Sequence, residues 1–384
     1  MFELPPVFGR GLRDLWSFAP GTIYLNHGAF GAVPKSITAA QESWRRRMET
    51  QPSLFFTRTL PDALPPAVEK LEDFLAAPRG TLALVENATA GINAVLRSLR
   101  WRRGDVIVLA EQAYPAVRNL VDWLAARHEL VVRLARVPMP VTGPQAVVDA
   151  YLAVANRVRI AIVDHVFSPS GVVAPVAEIS ARLKAMGAQV LVDAAHAAGM
   201  LDIDVKSIGA DWVVGDLHKW LFVPRGCAFL YASTGACRDL RPAAISGLAG
   251  PHFPESFAWT GTRDYTPFLC VPAALEFMRW LGPAAYRRWL KESAWQGACM
   301  LCDRWGVHPV APEVCLAAMV AVPLPGAAMA NDESARAWSE RLWDRHRIAV
   351  PVGHAEGRLW VRISAQVYND PSDFEALADA VSNP

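Results

Sequence analysis

Six apolar runs of strand length punctuate the middle of this chain, at residues 81–85, 105–109, 159–164, 189–193, 211–214 and 226–231. Strands alternating with helical stretches specify an α/β domain whose sheet is mainly parallel and flanked by helices. After the first run, Ile92, Val95, Leu96 and Leu99 recur at i, i+3, i+4 and i+7, which predicts a helix over 89–99 with one buried face. A strand thus feeds a helix at Glu86-Asn87-Ala88-Thr89. From about residue 265 the texture changes to helical segments rich in Trp and Arg, then short apolar strands at 314–322 and 359–361. The expected organisation is an N-terminal segment 1–20 associated with the small domain, a large domain 21–264, and a small α+β domain 265–384 joined through Pro267 and Pro272.

Composition narrows the function. A chain of 384 residues, 52% hydrophobic and 20% charged, can bury a large core. With 38 basic against 37 acidic residues, no global field favours nucleic acid or an anionic membrane, so small molecules are the expected partners. The opening Met1-Phe2-Glu3-Leu4-Pro5-Pro6 is neither basic nor apolar, and Pro323 and Pro325 interrupt the apolar stretch 314–330. Neither an export signal nor a membrane span is expected, and the six cysteines read as reduced thiols in a cytoplasmic protein. Cys299 and Cys302 form one Cys-x-x-Cys without a second pair, which reads as packing and not as a metal site. Arg45-Arg46-Arg47 reads as a solvated helix face.

The chemistry concentrates on His218-Lys219 and on Asp193, which closes the apolar run Val190-Leu191-Val192. A carboxylate ending a buried strand needs a partner, and a protonated pyridine nitrogen supplies one. A lysine that attacks an aldehyde is the other residue that pyridoxal 5'-phosphate chemistry requires. A structural salt bridge and a surface lysine are the alternatives, the second opposed by the apolar Trp220-Leu221-Phe222 that follows. Phosphate wants backbone N–H groups at a helix start and a hydroxyl, which Ala88 and Thr89 offer, although Thr89 reads equally as a helix cap. Tyr114, beyond the second run, is placed to lie on a planar ring or simply to pack. His165 or Ser168 is placed to contact the ring oxygen or to be a satisfied loop residue, and His196 to lie against Asp193 or shape the pocket.

The chain resembles the class V aminotransferase group of fold type I pyridoxal phosphate enzymes, and within it the isopenicillin N epimerase-like branch. The resemblance covers nearly the whole chain and rests on Tyr24-Leu25-Asn26-His27-Gly28-Ala29-Phe30-Gly31, Asn87-Ala88-Thr89-Ala90-Gly91-Ile92-Asn93, Asp164-His165-Val166, Asp193-Ala194-Ala195-His196, His218-Lys219-Trp220, Trp259-Thr260-Gly261-Thr262-Arg263-Asp264 and Arg362-Ile363-Ser364. It implies that Lys219 carries the cofactor as a Schiff base, Asp193 pairs with the ring nitrogen, Thr89 holds phosphate and Tyr114 stacks on the ring. It further implies a homodimer in which Thr262 reaches the phosphate across the interface. Arg362 is implied to bind the substrate carboxylate through its guanidinium fork, with Asn26, His27 and Gly28 lining the substrate entrance.

Two departures from the group bear on chemistry. Asp216 stands where relatives commonly place Ser or Asn facing the phosphate, so it is expected to turn away, toward Arg263 or His218. The segment 351–358 has no cysteine where cysteine desulfurases of this class carry a mobile one, which speaks against a persulfide relay. The motifs leave open epimerisation, β-elimination with C–S cleavage, and transamination, all of which begin at the α-proton of an amino acid. Tyr114, His27 or a water are candidates for the second acid that epimerisation needs. A non-catalytic protein that keeps the fold is opposed by the intact Lys219, Asp193, Thr89 and Arg362. The Gly-x-Gly-x-x-Gly of nucleotide-dependent oxidoreductases is absent.

Overall fold

The structure is a computed structural model that describes residues 6–247, 250, 252–326 and 330–382. The expectations placed on residues 1–5, and on 327–329 within the proline-broken stretch, lie outside the described residues.

Seven strands form the main sheet: Leu82–Val85 (β1), Val106–Ala110 (β2), Val131–Ala135 (β3), Ile160–Asp164 (β4), Gln189–Asp193 (β5), Trp212–Asp216 (β6) and Ala228–Ala232 (β7). Their order is β1-β7-β6-β5-β4-β2-β3, and β7 alone runs antiparallel to its neighbours. The central strands are apolar at nearly every position because helices cover both faces and leave no solvated side. The edge strand β3 is the exception. Arg133 interrupts its apolar run and only Ala135 is buried, so the sequence does not announce it.

Each of the three neighbouring strands β4, β5 and β6 ends on an aspartate, Asp164, Asp193 and Asp216. Parallel strands place these carboxylates at one edge of the sheet, where open α/β sheets hold ligands. On the same side, β1 runs into the helix Ala88–Ser98 (α1), and β2 into Pro115–His128 (α2).

The C-terminal part carries the helices Val271–Leu281 and Pro283–Trp305 and a three-stranded antiparallel sheet. That sheet has the order β9-β10-β8, from Met319–Pro323 (β8), Val352–Ala355 (β9) and Arg358–Ser364 (β10). The strand expected at 314–322 begins later because Val314 is 69% exposed in a turn of 3-10 helix, Glu313–Cys315. The final strand is longer than the expected 359–361, and the extra residues include Arg362.

The N-terminal segment joins this C-terminal part. Gly9 donates its N–H to the Val367 carbonyl at 2.7 Å, Ile23–Tyr24 pairs in parallel with Ile348–Ala349, and Asn26 bridges Ser364. The attachment therefore runs on to residue 26. Trp16, buried against Phe222, Phe277 and Tyr368, anchors it. Among the described residues no helix is long and apolar enough to cross a membrane, no group of side chains is arranged to hold a metal, and the six cysteines are unpaired.

Candidate active site

A cavity of about 470 Å³ opens above the carboxyl ends of β4, β5 and β6. Asp193 and Lys219 both line it, as do Ala88, Thr89, Tyr114, Ser168, His196 and His218. Residues distant in sequence converge here because parallel strands end at one edge.

Asp193 is 6% exposed and accepts the Ala195 N–H at 3.0 Å. Burial pushes its carboxyl up to about 6, while the Ala195 N–H and the Lys219 ammonium pull it down. Asp164 lies in register beside it, and burial with the adjacent Asp193 charge raises its carboxyl well above the usual range. Its Oδ2 is buried without a hydrogen-bond partner, as are Nδ1 of His165 and of His196. A carboxylate wall with unspent acceptors, facing a lysine, is a setting for a protonated ring nitrogen.

At the other side of the cavity, Asn87 caps α1 by accepting the Ala90 N–H at 2.8 Å. Thr89 therefore is not the cap, and it lines the cavity. Tyr114 stands just before Pro115 at the start of α2, 46% exposed, and lines the cavity. Lys219 has a side chain only 12% exposed, and its Nζ lies 3.0 Å from Asp216 Oδ2. Burial lowers both His218 and His196, the second well below its ordinary value.

Asp216 reaches the α1 N-terminus and stands near His218, one of its two expected partners, and not near Arg263. Its Oδ1 accepts the Ala88 N–H at 2.8 Å and stands 3.8 Å from His218 Nδ1, while Arg263 pairs with Glu86 at 3.4 Å. The α1 N-terminus draws the carboxylate more strongly than the expected partner Arg263 does, since free N–H groups and the helix dipole converge there.

Four further placements expected from the sequence differ in the structure. His165 does not line the cavity: strand alternation puts Asp164, Val166 and Ser168 on the cavity side and His165 opposite, where burial lowers it to about 4. His27 does not line the entrance either. It is fully buried, its Nδ1 lies 2.8 Å from the Tyr368 hydroxyl and its Nε2 2.9 Å from the Lys219 carbonyl, and burial lowers it to about 3. Asn26 and the buried Gly28 do not line this cavity, whereas Ala29 and Phe30 do. Gly28 is needed at that depth, since a Cβ there would meet Met319 Sδ at 2.5 Å.

Arg362 lines a neighbouring cavity of about 660 Å³ together with Trp360 and Arg336. It joins the two cavities, since its guanidinium donates to the carbonyl and hydroxyl of Ser168 and reaches Asn26 Oδ1 at 3.5 Å. Its Nε is buried without a partner, and burial lowers the group to about 10. Thr262 is exposed and outside the cavity of its own chain. Sequence reasoning missed Asp164 and Glu86 as cavity residues. Asp164 carries the signal that singled out Asp193, an aspartate closing an apolar strand.

The family model Aminotransferase class-V matches residues 23–377. A probable chloroplastic L-cysteine desulfhydrase of Arabidopsis thaliana is 32% identical, covering 94% of this chain and 83% of the relative. An isopenicillin N epimerase of Streptomyces clavuligerus is also 32% identical, covering 97% and 96%. Among solved structures, a lysine-to-alanine mutant of C-DES with glycine linked covalently to its pyridoxal phosphate cofactor superposes with a TM-score of 0.83 at 20% identity, covering 97% of this chain and 99% of that one. A buried carboxylate, a shielded lysine, a helix N-terminus with a hydroxyl and an aromatic face around one cavity fit that cofactor. The chain belongs to the aminotransferase class-V family, and its cofactor is pyridoxal 5'-phosphate.

Proposed function

We propose that this enzyme removes the α-proton of a cysteine-type amino acid and eliminates its β-sulfur, acting as a C–S lyase. The location of His27 carries this reading. Inversion needs an acid opposite Lys219, and with both His27 nitrogens engaged beneath the site, the side-chain candidates reduce to Tyr114. β-Elimination needs only a base, a leaving group and a shielded pocket. The desulfhydrase relative supports the same choice.

When bound, pyridoxal phosphate supplies an electron sink for charge developing at the α-carbon. Lys219 anchors it and takes the α-proton at Nζ. The Asp193 carboxylate would hold the proton on the ring nitrogen, Thr89 and the α1 N-terminus would receive the phosphate, and Tyr114 would pack against the ring. Ser168 and His196, which line the same cavity, would contact the cofactor. Arg362, oriented by Ser168 and Asn26, holds the substrate carboxylate. For cysteine the C–S bond breaks, the sulfur leaves as sulfide, and water supplies the keto oxygen, so that pyruvate, ammonia and hydrogen sulfide are released.

Epimerisation is the second reading, favoured by Tyr114 on the cavity and by the epimerase relative. The proposal includes a homodimer, in which the exposed Thr262 of each copy reaches the phosphate of the other, and a division into a large cofactor-holding domain and a small C-terminal one. Unpaired cysteines support a reducing cytoplasm.

The test is incubation of the yellow holoenzyme with amino acids and cysteine conjugates in deuterated water, following α-proton exchange, pyruvate and chirality together. Pyruvate release establishes the lyase, whereas exchange with inversion and no pyruvate establishes the epimerase. Lys219→Ala is expected to lose both colour and exchange.

A further inference from the structure

We propose that Asp216 is a built-in competitor for the cofactor phosphate, which sets how tightly this chain holds pyridoxal phosphate. The carboxylate already binds the two groups that the cofactor needs. Its Oδ1 takes the Ala88 N–H at 2.8 Å, at the N-terminus of the 11-residue helix α1, and its Oδ2 lies 3.0 Å from the Lys219 ammonium. Asp216 is 5% exposed, so little water screens it from a second anion in the same place.

The geometry leaves the phosphate two routes, and both weaken its binding. If phosphate takes the Ala88 N–H, Asp216 must give up that bond and swing toward His218, whose Nδ1 is 3.8 Å away. If Asp216 stays, two anions share one helix N-terminus and repel. A serine or asparagine at this position would donate to the phosphate instead of opposing it. Pyridoxal, which lacks the phosphate, reports whatever part of the change acts through the Asp216–Lys219 pair, so the competition for phosphate is read as tightening of pyridoxal phosphate beyond that of pyridoxal.

That difference defines the experiment. Apoenzyme of the wild type, Asp216→Asn and Asp216→Ser is titrated with pyridoxal phosphate and, separately, with pyridoxal, following the yellow band and tryptophan quenching. In both variants pyridoxal phosphate should tighten about tenfold or more beyond pyridoxal, a modest fraction of the repulsion between close like charges. Inorganic phosphate should raise the melting temperature of the variants more than that of the wild type. Unchanged or weaker pyridoxal phosphate binding in both folded variants would overturn the proposal. So would equal tightening of pyridoxal, because the effect would then act through Lys219. If no chain bound either compound, the cofactor assignment itself would fail, and this inference with it.

Discussion

Asp164 and Asp193 stand side by side in register at the ends of adjacent parallel strands, two buried carboxyls in one wall of the cavity. Like charges so placed cannot both ionise cheaply, and the shifts of both groups are upward. Asp193, at about 6 in the folded chain against 3.8 when unperturbed, keeps a proton between those values that the unfolded chain has released. Its contribution therefore lowers stability as pH rises from about 4 to 6, and the full penalty persists above. Asp193→Asn apoprotein should be more stable than wild type at pH 7.5, by on the order of 2 kcal/mol, and no more stable at pH 4. Urea unfolding at the two pH values checks this. An equal difference at both would assign the effect to packing.

His27 holds the Lys219 main chain. The Lys219 carbonyl only accepts, so Nε2 carries the proton and Nδ1 accepts from the Tyr368 hydroxyl. His27→Ala strands both partners and opens a void, with an expected cost of about 3 kcal/mol or more. Denaturant midpoints should fall at constant slope. His27→Asn, which keeps one partner, should lose less.

Gly31 lies where no side chain fits. It has φ +65, and a Cβ would stand 1.9 Å from the His218 carbonyl oxygen. Gly31→Ala must push the His218-Lys219 peptide aside, with a loss of about 3 kcal/mol or more and reduced cofactor occupancy. A melting temperature and yellow absorbance equal to wild type would count against this packing.

Arg362→Lys keeps a charge but loses the fork. The KM for an amino acid substrate should rise about tenfold to a hundredfold, with kcat affected less, because a point charge cannot pair in two places with a carboxylate. The corresponding amino acid amide, which lacks the carboxylate, should respond far less. Equal responses would remove Arg362 from carboxylate binding.

Much of the fold was legible because helices and buried strands leave local signatures. The apolar runs ending at Asp164 and Asp193 and the repeat of Ile92, Val95, Leu96 and Leu99 are periodic patterns that neighbouring residues carry by themselves. β3 escaped because an edge strand with Arg133 in it has no such pattern, and the strand expected from 314 began at Met319 because Glu313–Cys315 forms a turn of 3-10 helix and the buried residues 316–318 lie between that turn and the strand. The cavity residues were legible as types, a lysine, carboxylates, a hydroxyl after a strand, but not as directions.

From sequence alone, the chain's chemistry follows: an aldehyde-reactive lysine, a carboxylate at a strand end and a helix start for phosphate, set in an α/β order. Only the tertiary structure decided that His27 braces Lys219 from below, that Asp164 and not His165 faces the cavity, and that Asp216 sits on the α1 N-terminus. The reason is physical. Residue type and local period specify which element forms, whereas the direction of each side chain depends on partners contributed by distant segments, such as Tyr368 for His27 and Ala88 for Asp216.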